Sequence, residues 1–290
     1  MLTRTLGDKA GQWLIVALLA LLGASCVFPF LYAVGVSLTT LEEAARRGIV
    51  LIPHRATAAA YREIFANDML LQSFRITLFV TIVGTALNVL VTTVTAYPLA
   101  RKQLPGRNAA LLYIVFTMLF SGGLIPQYIL VKQLGLLNSV WSLVVPGLVS
   151  AFYLMIVKTF FEQLPEALDD AARIDGAGEL RILLAVIVPL SLPIMATVSL
   201  FYAVDHWNSY FSAVLYINDA TRFPMQIVLR NILLGATDVS AEYTPLPEDA
   251  VNPIAIQMAA VVTTTVPILL VYPFIQKYFT KGVLLGSVKG

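Results

Sequence analysis

Charge is the scarcest property of this chain. Only 12% of its 290 residues are Asp, Glu, Lys or Arg, where globular chains carry about a quarter. So few charges cannot cover a water-facing surface, which excludes a soluble domain. The net charge is only +2 and the basic residues fall at loop edges rather than in a patch, which excludes a nucleic-acid partner. There is one cysteine, Cys26, inside an apolar run; it can form no internal disulfide and is read as a packing residue. The two histidines, His54 and His206, belong to no H-E-x-x-H sequence, and no Ser–His pair falls within the apolar segments. No catalytic residue and no metal ligand is therefore assigned. A G-x-x-x-x-G-K-[ST] phosphate loop is missing too. Gly176-Ala177-Gly178 does not replace it, because no Lys-Ser or Lys-Thr follows at the required place. The chain is expected to bind no ATP and no other cofactor itself.

What is present is apolar residue in long runs: 58% of the chain is hydrophobic and the mean hydropathy is +0.81. That composition predicts an all-α polytopic membrane protein with six spans. A short tail, 1–12, precedes a first span over 13–38, too long for a signal-peptide core and followed by no clear cleavage site. Residues 39–75 form an external loop broken by Pro53, with a helix expected over Ala56 to Phe65. The second span, 76–99, is long enough at about 1.5 Å per residue for a hydrocarbon core of about 30 Å. Loop 100–108 carries Arg101, Lys102 and Arg107 without a nearby acid, the clearest cytoplasmic signal in the chain. In the third span, 109–131, Gly122, Gly123 and Pro126 predict a bend or local unwinding, tolerable where protein or a cavity covers the backbone. An external turn, 132–139, leads to a fourth span over 140–161. After a hydrophilic loop, 162–181, comes a fifth span over 182–204, kinked near its start by Pro189 and Pro193. The connection 205–257 shows helical spacing from Pro224 to Leu234 and a proline-rich loop from Thr244 to Pro253. A sixth span, 258–274, precedes a tail, 275–290, with Lys277, Lys281, Lys289 and no acid. Six spans put both termini on one side, and the basic second loop makes that side the cytoplasm. The first external loop also holds Arg46, Arg47, Arg55 and Arg62, but long loops weigh little under the charge rule.

No charged residue lies in the middle of a predicted span. Ion-coupled carriers generally need such a group, so a secondary carrier is the lesser alternative, beside a membrane assembly subunit with no transport path. Candidate path residues are the polar and aromatic side chains at depth: Asn88, Gln127, Tyr128, Tyr153 and Thr263 to Thr265, with Trp207, Asn208 and Tyr210 at the outer edge. Asn88 has to face protein or water, and an interhelical hydrogen bond is its plainer role. His206 is read as a polar span end, and Tyr or Trp at span ends as interfacial anchors.

The chain is organised around Leu164 to Pro193, LPEALDDAARIDGAGELRILLAVIVPLSLP. Pro165 suits the first position of a short helix. Helical spacing puts Leu164, Leu168, Ala171 and Ala172 on one face, with Glu166, Asp169, Asp170 and Arg173 towards the other. Gly176 then turns the chain, and a second helix is expected near Ala177 with Glu179 at its positive end. A helix lying in the headgroups usually carries Lys and Arg on its polar face. Here five acids (Glu166, Asp169, Asp170, Asp175, Glu179) outnumber Arg173 and Arg181, which favours docking against a protein over lying on lipid.

Asp170-Ala171-Ala172, then Gly176, then Val186-Ile187-Val188-Pro189 resembles the EAA loop of binding-protein-dependent ABC importers. That pattern is Glu-Ala-Ala, three residues, Gly, nine residues and Ile-x-Leu-Pro. Asp170, Val186 and Val188 depart from it in identity while keeping charge or apolar character. The flanks Leu164-Pro165 and Ile174-Asp175-Gly176-Ala177 resemble the carbohydrate, MalG-like branch. The segments around His206-Trp207-Asn208-Ser209-Tyr210 and Phe223-Pro224-Met225-Gln226 resemble oligosaccharide permeases, including the second permease subunit of alginate importers. The resemblance implies a type I importer permease fold in a bacterial cytoplasmic (inner) membrane. It also implies a second permease subunit, two cytoplasmic ATPase subunits holding ATP and Mg, an external substrate-binding protein and a sugar substrate. Glu166, Asp169 to Arg173, Asp175, Gly176, Gly178 and Glu179 are then the coupling residues. The closing segment Lys281 to Gly290 resembles tails that reach the ATPase pair.

Overall fold

The computed structural model describes residues 6–47, 50–239 and 251–287. Among them the elements are helical: α1 (Leu6–Ser37), α2 (Leu41–Arg47), α3 (Ala59–Ala66), α4 (Asp68–Ala100), α5 (Arg107–Leu119), α6 (Leu124–Gln133) and α7 (Ala151–Glu162). There follow α8 (Ala167–Ile174), α9 (Glu179–Ile182), α10 (Val188–Leu190), α11 (Leu192–Trp207), α12 (Phe211–Tyr216), α13 (Met225–Val239) and α14 (Pro253–Ser287). Among the described residues three helices are long and apolar enough to cross a membrane, and three bent pairs raise the number to six if each pair is one span. The proline-rich stretch expected from Thr244 lies mostly outside the described residues, as do the last residues of the basic tail.

Two compact units divide the chain. One comprises Met1–Asp68 and Leu229–Val266. Its helix α1 exposes a continuous apolar surface, with Trp13, Leu14, Leu21 and Leu22 all more than half accessible; only hydrocarbon or another membrane subunit tolerates that. The loop beyond α1 is more ordered than expected, because its own polar groups close it. Thr57 N donates to Leu38 O over 2.9 Å, and Glu43 accepts from the His54 and Arg55 amides at 2.8 and 3.3 Å. These amide bonds hold the Glu43 carboxyl below the usual carboxylate range. The loop also packs against α1 at Gly35, where a Cβ would stand 2.5 Å from the Leu51 carbonyl oxygen and 2.6 Å from that of Val50. Both obstacles are backbone, so Gly35→Ala should destabilise this unit by about 1–3 kcal/mol, read as a lowered unfolding temperature in detergent.

The other unit comprises Met69–Val228 and Pro267–Gly290, and three of its spans are broken. Helices α5 and α6 meet at 114°, the tight turns over Val140–Gly147 meet α7 at 48°, and Glu179–Leu190 meets α11 at 85°. The first break falls on the expected glycines, with Gly123 at φ +90°. The third falls at Ser191, between Pro189 and Pro193, after a widened π-helical stretch at Leu183–Ile187; a proline without an N–H makes such a break.

The second break has its solution in side chains of other helices. Backbone between Val144 and Ser150 leaves polar groups that α-helical bonding would have used, and hydrocarbon offers no water to satisfy them. Asn88 of α4 donates through Nδ2 to the carbonyls of Gly147 (2.6 Å) and Leu148 (2.9 Å). Ser150 N–H donates to the Tyr202 hydroxyl at 3.0 Å, which also bonds Thr92 at 2.8 Å. The core beneath, including Ala96, Val157, Phe161, Ile182, Ile187 and Val198, binds α4, α7 and the bent fifth span together.

Candidate functional site

The hydrophilic loop forms an elbow of two short helices, α8 and α9, at the ends of α4, α7 and the fifth span. Pro165 stands two residues before α8, where its carbonyl accepts from Leu168 N at 3.1 Å and opens a tight turn into the helix. Gly176, at φ +79°, ends α8. The Ala177 amide reaches back to Ala172 O and the Gly176 amide to Arg173 O, both at 3.0 Å. This is the doubly bonded left-handed stop that glycine suits. Gly178 then caps α9, which begins at Glu179.

The elbow's faces differ from the expected split. Asp169 is buried, 4% accessible, and pairs with Arg101 from just beyond α4. Glu179 accepts from the Tyr97 hydroxyl of α4 at 2.7 Å and from Arg173 at 3.1 and 3.0 Å. The Arg101 guanidinium lies 4.6 Å over the Tyr97 ring. Two of the five acids are thus spent on the protein's own α4, and Glu166, Asp170 and Asp175 stay outside. Ala172 is half-buried against the core, whereas Ala171 is exposed together with Leu168, Ile174 (86%) and Leu180 (67%). The outer face is therefore apolar with an acidic fringe. The reason is positional: Arg101 and Tyr97 wait at the C-terminal end of α4, and the side of α8 turned towards them is the one bearing Asp169. Nothing in the periodicity of α8 alone could reveal that.

A second ionic group braces the same end. Arg107 of α5 pairs with Glu162 of α7 and donates through Nε to Leu99 O at 2.9 Å; buried Lys158 reaches Glu162 at 2.7 Å. The basic loop 100–108 is thus not only a topology signal. Arg101 and Arg107 are used as partly buried structural partners, and exposed Lys102 stands 4.0 Å from Glu166.

The candidate path residues scatter. Asn88 is fully buried, its amide committed to the backbone break and its Oδ1 to His206 Nε2 at 2.7 Å. His206 lies in the last turn of α11, at the span end as expected, but it is buried against Gly84. Trp207 is buried edge-on to Phe74 at 6.3 Å, and Asn208 turns back to Val204 O at 2.9 Å. Gln127 is exposed on α6, where Tyr128 stacks on Tyr216 at 6.4 Å. Tyr153 donates to Asp205 at 2.9 Å and sits among the rings of Phe152, Phe201 and Tyr202. Thr264 and Thr265 bond back to Val261 O within α14. Tyr202, Asp205 and Tyr97 join these groups without having been singled out, and Arg101 had been named only for its charge; their contacts across helices mark them.

Helices able to cross a membrane up to six times, with an ion-paired elbow carried between them, define a membrane-spanning transport component. The chain's residues 73–285 match the family of binding-protein-dependent transport system inner membrane components, and the chain belongs to it. It is similar to the polygalacturonan/rhamnogalacturonan transport system permease protein YtcP of Bacillus subtilis (strain 168), 44% identical over 98% of this chain and 99% of that one. Protein LplC of the same organism is 45% identical over 92% of this chain and 91% of its own length. A crystal structure of a bacterial ABC transporter involved in the import of the acidic polysaccharide alginate contains a chain that superposes with a TM-score of 0.88. That match has 26% identity and covers 96% of this chain and all of the other.

Proposed function

We propose that this permease is one of two membrane subunits of an ATP-driven importer of oligosaccharides released from a polysaccharide, with pectic fragments the first class to try. The names of the similar permeases support the substrate class, and the elbow supports the drive. Two separate ATPase chains bind ATP and Mg in the cytoplasm, where both termini of this chain also lie, and an external binding protein delivers the sugar. ATP hydrolysis belongs to those chains, and this one is not an enzyme. ATP binding closes the ATPase pair, each ATPase carries a docked elbow with it, and the attached spans rock.

The single observation that carries this reading is the outward apolar face of the elbow, Leu168, Ala171, Ile174 and Leu180, standing on a rigid ionic base. A cysteine tests it best at Ala171, which is exposed, and not at Ala172, which faces the core. With a second cysteine in the docking cleft of the co-purified ATPase, Ala171→Cys is expected to form an interchain disulfide under mild oxidation. Failure of any ATPase to co-purify from mild detergent, or an elbow reactive only from outside the cell, defeats the reading.

A further inference from the structure

The elbow is tied not only to its chain neighbours α7 and α10. Each of its two short helices is also held by α4 or by Arg101 directly after it, more than sixty residues away in sequence. Asp169 on α8 is held by Arg101, Glu179 on α9 is held by Tyr97, and the stacking of Arg101 on Tyr97 joins the two holds into one. We infer that Tyr97 and Arg101 are positioning residues that carry the elbow's displacement into α4. This inference rests on the importer reading above.

Mechanics favour it. Apart from the holds and the packing of Ala172 against the core, α8 is linked to its neighbours through Gln163 to Glu166 on one side and through Asp175 to Gly178 on the other, both non-helical stretches. Such links bend at little cost, so a push on α8 would be taken up locally. With the holds, the push reaches a 33-residue helix directly. The far consequence is also on that helix, since Asn88 and Thr92 fasten α4 to the broken fourth span and to α11. Displacing the C-terminal end of α4 therefore strains the contacts at membrane depth that close the bundle. The ion pair also has a second arrangement open to it. Asp169 Oδ1 and Arg101 Nε are both buried without a partner, so the pair engages by fewer bonds than the fork geometry of carboxylate and guanidinium allows. A buried contact with unused capacity can re-seat as the elbow moves.

The test uses the full complex with its ATPase and binding protein in vesicles, and a galacturonan oligosaccharide as probe. The variants are Tyr97→Phe, which keeps the ring and the stack, Arg101→Leu and Arg101→Lys. Tyr97→Phe and Arg101→Leu are expected to assemble with the ATPase and hydrolyse ATP, while oligosaccharide taken up per ATP falls by about fivefold or more. Arg101→Lys, which keeps a cation for Asp169 and for the ring, is expected to recover most of the ratio. If the ratio is unchanged in Tyr97→Phe and Arg101→Leu, the inference is wrong. It is equally wrong if uptake and hydrolysis fall together in proportion to folded complex, because the contacts are then merely structural. Wild-type protein that recruits no ATPase overturns the importer reading itself, and the brace with it.

Discussion

Gly176→Pro is expected to leave ATP hydrolysis running while oligosaccharide uptake stops. Gly176 holds φ at +79°, and a proline ring requires about −65°. The substitution also removes the amide that closes the end of α8 on Arg173 O. No rotation of neighbouring bonds repairs both, so α8 and α9 must take a new mutual angle. Glu179 then loses its place between Arg173 and Tyr97. A Cβ at Gly176 meets nothing within 4 Å, so Gly176→Ala isolates the cost of the left-handed conformation, about 1–2 kcal/mol, without a steric clash. Alanine should thus lower uptake moderately and proline by at least about tenfold, the equivalent of 1.4 kcal/mol in coupling. Uptake and ATP turnover measured together in vesicles decide the matter; proline vesicles that transport at wild-type rates would dispose of the lever.

Asn88→Leu is expected to destabilise the membrane-depth core more than any other single change at the candidate path positions. Leucine fits the volume and removes three hydrogen bonds at once: to Gly147 O, to Leu148 O and to His206. At roughly 0.6–1.7 kcal/mol for each such bond in a membrane bundle, the loss amounts to about 2–5 kcal/mol. Part of it comes from the imidazole left without a partner. His206 cannot move towards α4, because Gly84 already lies so close that a Cβ there would stand 2.6 Å from Nε2. The double variant Asn88→Leu, His206→Leu should therefore be less destabilised than the sum of its parts, and the carbonyls at the break account for what remains. Thermal unfolding in detergent measures both; full additivity would show that the two side chains do not act as a unit. Uptake that falls only as far as folded protein falls would place Asn88 among packing groups, not sugar contacts.

How much of this could be read in advance depended on whether the responsible residues were neighbours in sequence. The elbow was legible because Pro165 and Gly176 act on backbone within a few residues of themselves. The same holds for the bends at Gly122–Gly123 and Pro189–Pro193. His206 was placed at its span end, but its burial was not legible, since nothing within a helical turn of it discloses Asn88. The acids of α8 were all assigned to the outside for the same reason, although Asp169 is matched by a cation 68 positions earlier.

The class of protein and the place of its elbow were determined by the sequence alone, because apolar run length and glycine or proline stereochemistry are local properties that need no partner. Which acids face inward, which polar residues are already spent at membrane depth, and that α4 grips the elbow at both ends were decided only by tertiary structure. Those depend on the azimuth of one helix against another. Burial of Ala96, Val157, Ile182 and Val198 in a common core sets that angle, and hydrogen bonds too costly to leave unmade in hydrocarbon then lock it.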